Sequence, residues 1–242
     1  MFKQLLKVWS EQIYTQQLVN EFMTMLSNSE KMLTYALKVL TQESSGKKFD
    51  KKIYKKDQTI NLAEQDIRKR VLIHLSTNPN CNLPACLSLI SVVKDAERVG
   101  DYVKNLFELN RFYKDSRKDS ELFNKLFETS ATELIELFGK VSTAFKNSDK
   151  DIAVEAIHLG HEIALKCEDV IEDVVKSDYN ARQAVVIALG ARYIKRISIH
   201  LTNIVTSVTN PLPELDFIRM DKEKQSDKKP GGNYLEIKSS NE

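Results

Sequence analysis

The chain has 242 residues, of which 42% are hydrophobic and 29% charged, the mix of a globular protein with a sizeable core in one large domain or two small ones. Its net charge of +2, with acids and bases interspersed, supplies no global basic field of the kind that binds nucleic acid. Glycine (7) and proline (5) are scarce, which favours long helices over many turns and short strands.

Helical periodicity dominates from the start. The opening stretch, MFKQLLKVWSEQIY, has no apolar core long enough for a signal peptide. A first helix is predicted from about Trp9 to Gln42, ended by ESSGKKFD. The lysine-rich KKFDKKIYKK, Lys47 to Lys56, reads as a solvated loop and helix start; its sharper reading is a contact patch for an anionic membrane surface or an acidic partner. A second helix follows from about Ile53 to Ser76. STNPNCNLP then breaks the chain, and a third helix runs from about Pro84, well placed in a first turn, to Tyr113. Beyond the polar KDSRKDS, a fourth helix covers about Glu121 to Lys146. Asp149 is placed to cap a fifth, Ile152 to Lys176, and a sixth runs from Ala181 to Thr209, stopped by Pro211 and Pro213. The remainder, from Arg219, is charged, aperiodic and contains Pro-Gly-Gly; it is expected to be disordered.

No run of about 18 apolar residues occurs, so no transmembrane segment is expected. Cys81, Cys86 and Cys167 are odd in number and show no CxxC spacing, which points to free thiols in a reducing compartment. The expectation is a cytoplasmic protein.

The two sets of three helices look alike. Arg98 and Asn105 recur as Arg196 and Asn203, both at an offset of 98, and Val99, Val103 and Leu106 recur as Ile197, Leu201 and Ile204. Shared helix order and shared apolar register argue for an internal duplication.

The third helix carries KDAERVGDYVKN, in which Glu97 and Asp101 lie one turn apart beside an apolar stripe of Val92, Ala96, Val99, Gly100, Val103 and Phe107. A glycine inside a helix costs about 1 kcal/mol against alanine, so Gly100 marks the close approach of another helix. The second helix shows a stripe of Ile60, Ala63, Ile67 and Val71, with Asp57, Asn61, Glu64 and Arg68 along one side. If these helices pack together, Asp57, Asn61, Glu97 and Asp101 converge as hard oxygen ligands suited to magnesium, manganese or iron, and carboxylates also take zinc. The competing reading is ion pairing at helical spacing, Glu97 with Lys94 and Asp101 with Arg98 or Lys104; spacing alone favours it.

ERVGDYVKN, preceded by VVKDA, resembles the signature of the PhoU family of phosphate-signalling proteins, with Glu97 and Asp101 at its two acidic positions. Asp57-x-x-x-Asn61 looks like the partner motif on the preceding helix, with Asn where the family usually has Asp. The resemblance covers about Phe2 to Phe217. It implies an all-α fold of two tandem three-helix bundles, here 1–115 and 116–218 ahead of the tail 219–242. It also implies that Asp57, Asn61, Glu97 and Asp101 bind a metal cluster in the first bundle, iron or zinc as in some members, with manganese or magnesium also suited to these oxygen ligands. The implied role is regulation of phosphate transport and homeostasis, by binding a membrane phosphate transporter or a phosphate-sensing histidine kinase at the inner face of the membrane. Family members are often dimers or larger, and no catalysis is implied.

The second copy departs from the pattern. Lys195 and Ile199 stand where Glu97 and Asp101 stand, and aligning Ile163 with Ile60 sets Gly160 opposite Asp57 and Ala164 opposite Asn61. No metal is expected there. A divergent branch fits this loss, such as a metal-free helical adaptor associated with a sodium–phosphate symporter. A di-iron carboxylate enzyme needs Glu-x-x-His on each of two helices, and only Glu155-Ala-Ile-His158 matches, on the face opposite Ile163, Cys167, Val170 and Val174. No nucleophile triad or glycine-rich phosphate loop occurs, so an enzyme is not expected. His74 and His200 read as core or boundary histidines.

Overall fold

The computed structural model describes residues 13–41, 50–112, 121–220 and 233–236. Helix α1 spans Ile13–Thr41, α2 Asp50–Thr77 and α3 Leu83–Glu108, which tightens into a 3₁₀ turn at Leu109–Arg111. The next helix starts as α4, Glu121–Asn124, passes through a π-helical segment, Lys125–Thr129, and continues as α5, Ser130–Asn147. Helix α6 covers Lys150–Val175 and α7 Ala181–Thr209. The architecture is all-α. Strands β1, Phe217–Met220, and β2, Asn233–Glu236, add a short parallel ribbon.

Local chemistry sets the boundaries. Asn82 caps α3 by accepting from the Ala85 amide, and Pro84 sits in the first turn, where its missing N–H costs nothing. Asp149 caps α6 through the amides of Asp151 and Ile152. Ser148 takes the left-handed conformation (φ 52°) that reverses the chain between α5 and α6. Helix α7 has the bounds that periodicity predicts. The expected third helix gives up α geometry at Glu108, before Tyr113, which lies outside the described residues. The expected fourth helix is interrupted by the π turn, around which Phe123, Leu126 and Phe127 are all buried in the core; the rings of Phe123 and Phe127 meet at 4.5 Å.

The helices pack as two triplets, α1–α2–α3 and α5–α6–α7. Between them α3 lies against α7 and α1 against α5, where the rings of Phe22 and Phe145 meet at 4.6 Å. The buried apolar side chains form one continuous cluster through both triplets. Gly100 lies where expected, at a close approach: a Cβ there would stand 3.1 Å from Ile60 Cδ1 on α2 and 3.5 Å from Ser29 Oγ on α1.

The expected helix start at Trp9 and the first lysines of the Lys47–Lys56 run lie outside the described residues. Lys51, Lys52 and Lys55 are exposed on the first turns of α2, while Lys56 donates to Asn28 Oδ1 at 2.8 Å. Of the expected tail, 219–242, the described part is the end of β1 and β2; the rest lies outside the described residues. Glu155 and His158 are exposed on α6, the face the sequence assigns them, and Glu162 is exposed with them. No described helix is long and apolar enough to cross a membrane.

Candidate functional site

The buried stripe of α2 runs Ile53, Asp57, Ile60, Glu64, Ile67, Val71, alternating steps of four and three. Asp57 (8% exposed) and Glu64 (7%) thus sit on the packed face itself, where sequence periodicity sets them at its edge. Helices α2 and α3 are antiparallel, because Ile60 meets Gly100 while Asp57 meets Lys104 and Glu64 meets Lys94. That register brings the predicted residues to one seam.

Lys104 Nζ donates to both oxygens of Asp57, each at 3.0 Å, and to Asp101 Oδ1 at 2.9 Å. Lys94 Nζ donates to Glu97 Oε2 at 2.7 Å and lies 3.6 Å from Glu64 Oε1. Arg68 Nη1 stands 3.0 Å from the same Glu64 oxygen. Arg98 lies between the two motif acids, 3.8 Å from Glu97 and 3.7 Å from Asp101. Asn61, one turn from Asp57, keeps a buried Oδ1 with no hydrogen-bond partner. Burial pulls the pKa of Lys104 down, but its hydrogen bonds to Asp101 and Asp57 outweigh that and hold it above the ordinary lysine value.

Asp57, Asn61, Glu97 and Asp101 therefore line one seam. Four carboxylates there, counting Glu64, face four cationic side chains. Among the described residues no three His, Cys, Asp or Glu side chains are grouped to hold a metal ion. As placed, both oxygens of Asp57, one of Asp101 and one of Glu97 are bonded to ammonium groups, while Asn61 Oδ1 and Glu64 Oε1 have no hydrogen-bond partner. Glu64 is the residue the sequence reading left out of the site; its signal was a spacing of seven from Asp57, two turns along the same face.

The corresponding seam of the second triplet is different. Lys195 is buried (4% exposed) and pairs with Glu168 on α6. Gly160 and Ala164 are buried, and a Cβ on Gly160 would stand 2.2 Å from Thr202 Oγ1. Cys167, fully buried beneath this seam, has its thiol pushed up to about 12 by burial.

A further polar cluster joins the triplets. Asp95 on α3 (7% exposed) lies 2.7 Å from His200 Nδ1 and accepts from Asn203 Nδ2 at 3.2 Å, both on α7. Tyr102 stacks on the His200 ring at 5.6 Å. After α7 the chain folds back, and the Asp216 amide donates to Thr206 Oγ1. Burial, then the charge of Asp95, raise the Asp216 carboxyl to about 6, against the opposing pull of His200.

The architecture is that of an all-α protein of two packed helix triplets, with acids and lysines interlocked between the second and third helices of the first. The family model described as PhoU domain matches residues 22–109. The chain is similar to the crystal structure of PhoU from Pseudomonas aeruginosa, with a TM-score of 0.73 and 17% identity, over 81% of this chain and 95% of that one. It is also similar to the phosphate transport system regulatory protein PhoU from Streptococcus pneumoniae, with a TM-score of 0.70 and 16% identity, over 80% of this chain and 92% of that one. No curated protein matches the chain in sequence. Residues 22–109 thus match the PhoU domain model, and the fold is that of the PhoU crystal structures.

Proposed function

We propose that this chain is a PhoU-like regulator of phosphate transport that works by binding. Its targets are a membrane phosphate transporter or the sensor kinase coupled to it, met at the inner face of the membrane, with the chain acting as a homo-oligomer. The single observation that carries this reading is the PhoU domain over residues 22–109, with ERVGDYVKN seated at an α2–α3 seam inside the PhoU fold. The duplicated layout supports two units, 1–115 and 116–218: α3 begins at Leu83 and α7 at Ala181, the same offset of 98 that relates Arg98 to Arg196.

A second reading, an adaptor at a sodium–phosphate symporter that works without metal, is favoured by the ammonium groups that fill the acidic seam. The test is deletion of the gene, with phosphate uptake and phosphate-responsive expression both measured. Loss of control over both, restored by the wild-type chain, is the expected result. Loss of uptake control alone favours the adaptor. An unchanged phosphate response removes both readings.

A further inference from the structure

We propose that lysine side chains are the resident cations of this fold in this chain, occupying in both triplets the place that a divalent metal would take between the second and third helices. The argument starts from the positions of the two lysines in the first triplet. Lys94 precedes Glu97 by three residues and Lys104 follows Asp101 by three, so one lysine flanks the acid pair at each end. Each then reaches across to α2: Lys94 to Glu64, and Lys104 to both oxygens of Asp57. Every acid of the seam is thereby bridged to the other helix by an ammonium group, as a metal ion bridges carboxylates from facing helices.

The distances are those of ammonium hydrogen bonds. Lys104 Nζ stands 2.9–3.0 Å from three carboxylate oxygens, where Mg²⁺ would draw them in to about 2.0–2.1 Å. Three donors on one nitrogen match three acceptors, so the ammonium group's hydrogen bonds are all made to the seam at that end. At the other end Lys94 makes one such bond, to Glu97 Oε2 at 2.7 Å, and pairs with Glu64 Oε1 at 3.6 Å without a hydrogen bond.

The second triplet supplies an independent instance. Lys195 stands at the position of Glu97, is 4% exposed, and pairs across the seam with Glu168 on α6. One triplet keeps its acids and neutralises them with added lysines; the other puts a lysine in the acid's own place. Both end with an ammonium group between the second and third helices, partly exposed in the first triplet and buried in the second, and tethered to the chain so that no chelator removes it.

The test uses the full chain, purified without chelator or affinity metal. Metal content is measured by elemental analysis, and melting is followed with EDTA, with Mn²⁺ and with Zn²⁺. The expected wild-type result is no stoichiometric metal and one melting temperature in all conditions. Lys94→Met/Lys104→Met removes both ammonium groups from the seam, leaving Arg68 and Arg98 in place, and is expected to raise affinity for Mn²⁺ or Zn²⁺ by about tenfold or more, seen as a metal-dependent rise in melting temperature. If that double variant does not fold, Lys104→Gln, which keeps a polar group at the site, is read the same way. Stoichiometric metal in the wild type that disappears in Glu97→Gln/Asp101→Asn would overturn the proposal. So would a folded lysine variant that gains no metal, since Lys94 and Lys104 would then be ordinary ion pairs. These measurements on purified protein are independent of the phosphate phenotype, so either reading can fail without the other.

Discussion

Asp216 shows how a single carboxyl can set a pH response. It lies beside Asp95 and His200 where the chain folds back from α7, and its carboxyl is raised from 3.8 to about 6. A raised acid binds its proton more tightly in the folded state. Its contribution to stability is therefore full below about pH 4 and is lost as pH rises through about 6. Asp216→Asn, which keeps a residue suited to the left-handed backbone (φ 67°), should melt higher than wild type at pH 8 and together with it at pH 4. Melts across that range check this, and a variant that melts lower at pH 8 contradicts it. The other groups of this cluster were not legible in the sequence, because 105 residues separate His200 from Asp95. Lys94 and Lys104 were legible as partners of Glu97 and Asp101, since spacing of three on a helix is local information. That Lys104 also holds Asp57, and Lys94 approaches Glu64, depends on the register of α2 against α3, which only packing decides.

At the scale of elements, the two triplets solve the same contact in opposite ways. In the first, the glycine is on α3 and meets the flexible end of Ile60; in the second, it is on α6 and meets Thr202 on α7. Gly100→Ala should be close to neutral, because the helix gains about 1 kcal/mol in propensity while Ile60 Cδ1 shifts by a few tenths of an ångström. Gly160→Ala should lose about 1–2 kcal/mol net: Thr202 is buried and its hydroxyl donates to the Ser198 carbonyl at 2.8 Å, so the overlap is relieved only by breaking that bond or moving α7. Urea midpoints of the two variants, with partial recovery in Gly160→Ala/Thr202→Ala, check the assignment. The order and ends of the long helices were readable from apolar spacing and caps, α7 above all. The π turn at Lys125–Thr129 was not, because its sequence is compatible with continuous helix and the close approach of Phe127 to Gly190 on α7 is a contact that only packing shows.

At the scale of the molecule, sequence and fold diverge at different rates. The PhoU domain match ends at residue 109, yet the PhoU fold covers 81% of the chain and so extends well into the second triplet. What the second half has lost is the acidic pattern; what it has kept is the packing, joined to the first half through α3, α7 and one continuous core. Such a core should unfold as one unit. The buried thiols turn that expectation into a clock. Cys167 is fully buried in the second triplet, and burial keeps it out of its reactive thiolate form, so a maleimide can reach it only through an opening that exposes the middle of α6. Its labelling rate should follow denaturant with the slope of global unfolding. Cys86, in the first turns of α3 with its thiol raised to about 11, should react sooner as that helix end frays. A shallower slope at Cys167 would show that the second triplet opens by itself. The chain thus carries, without any engineered label, one chemical timer for the breathing of a helix end and another for the survival of the whole.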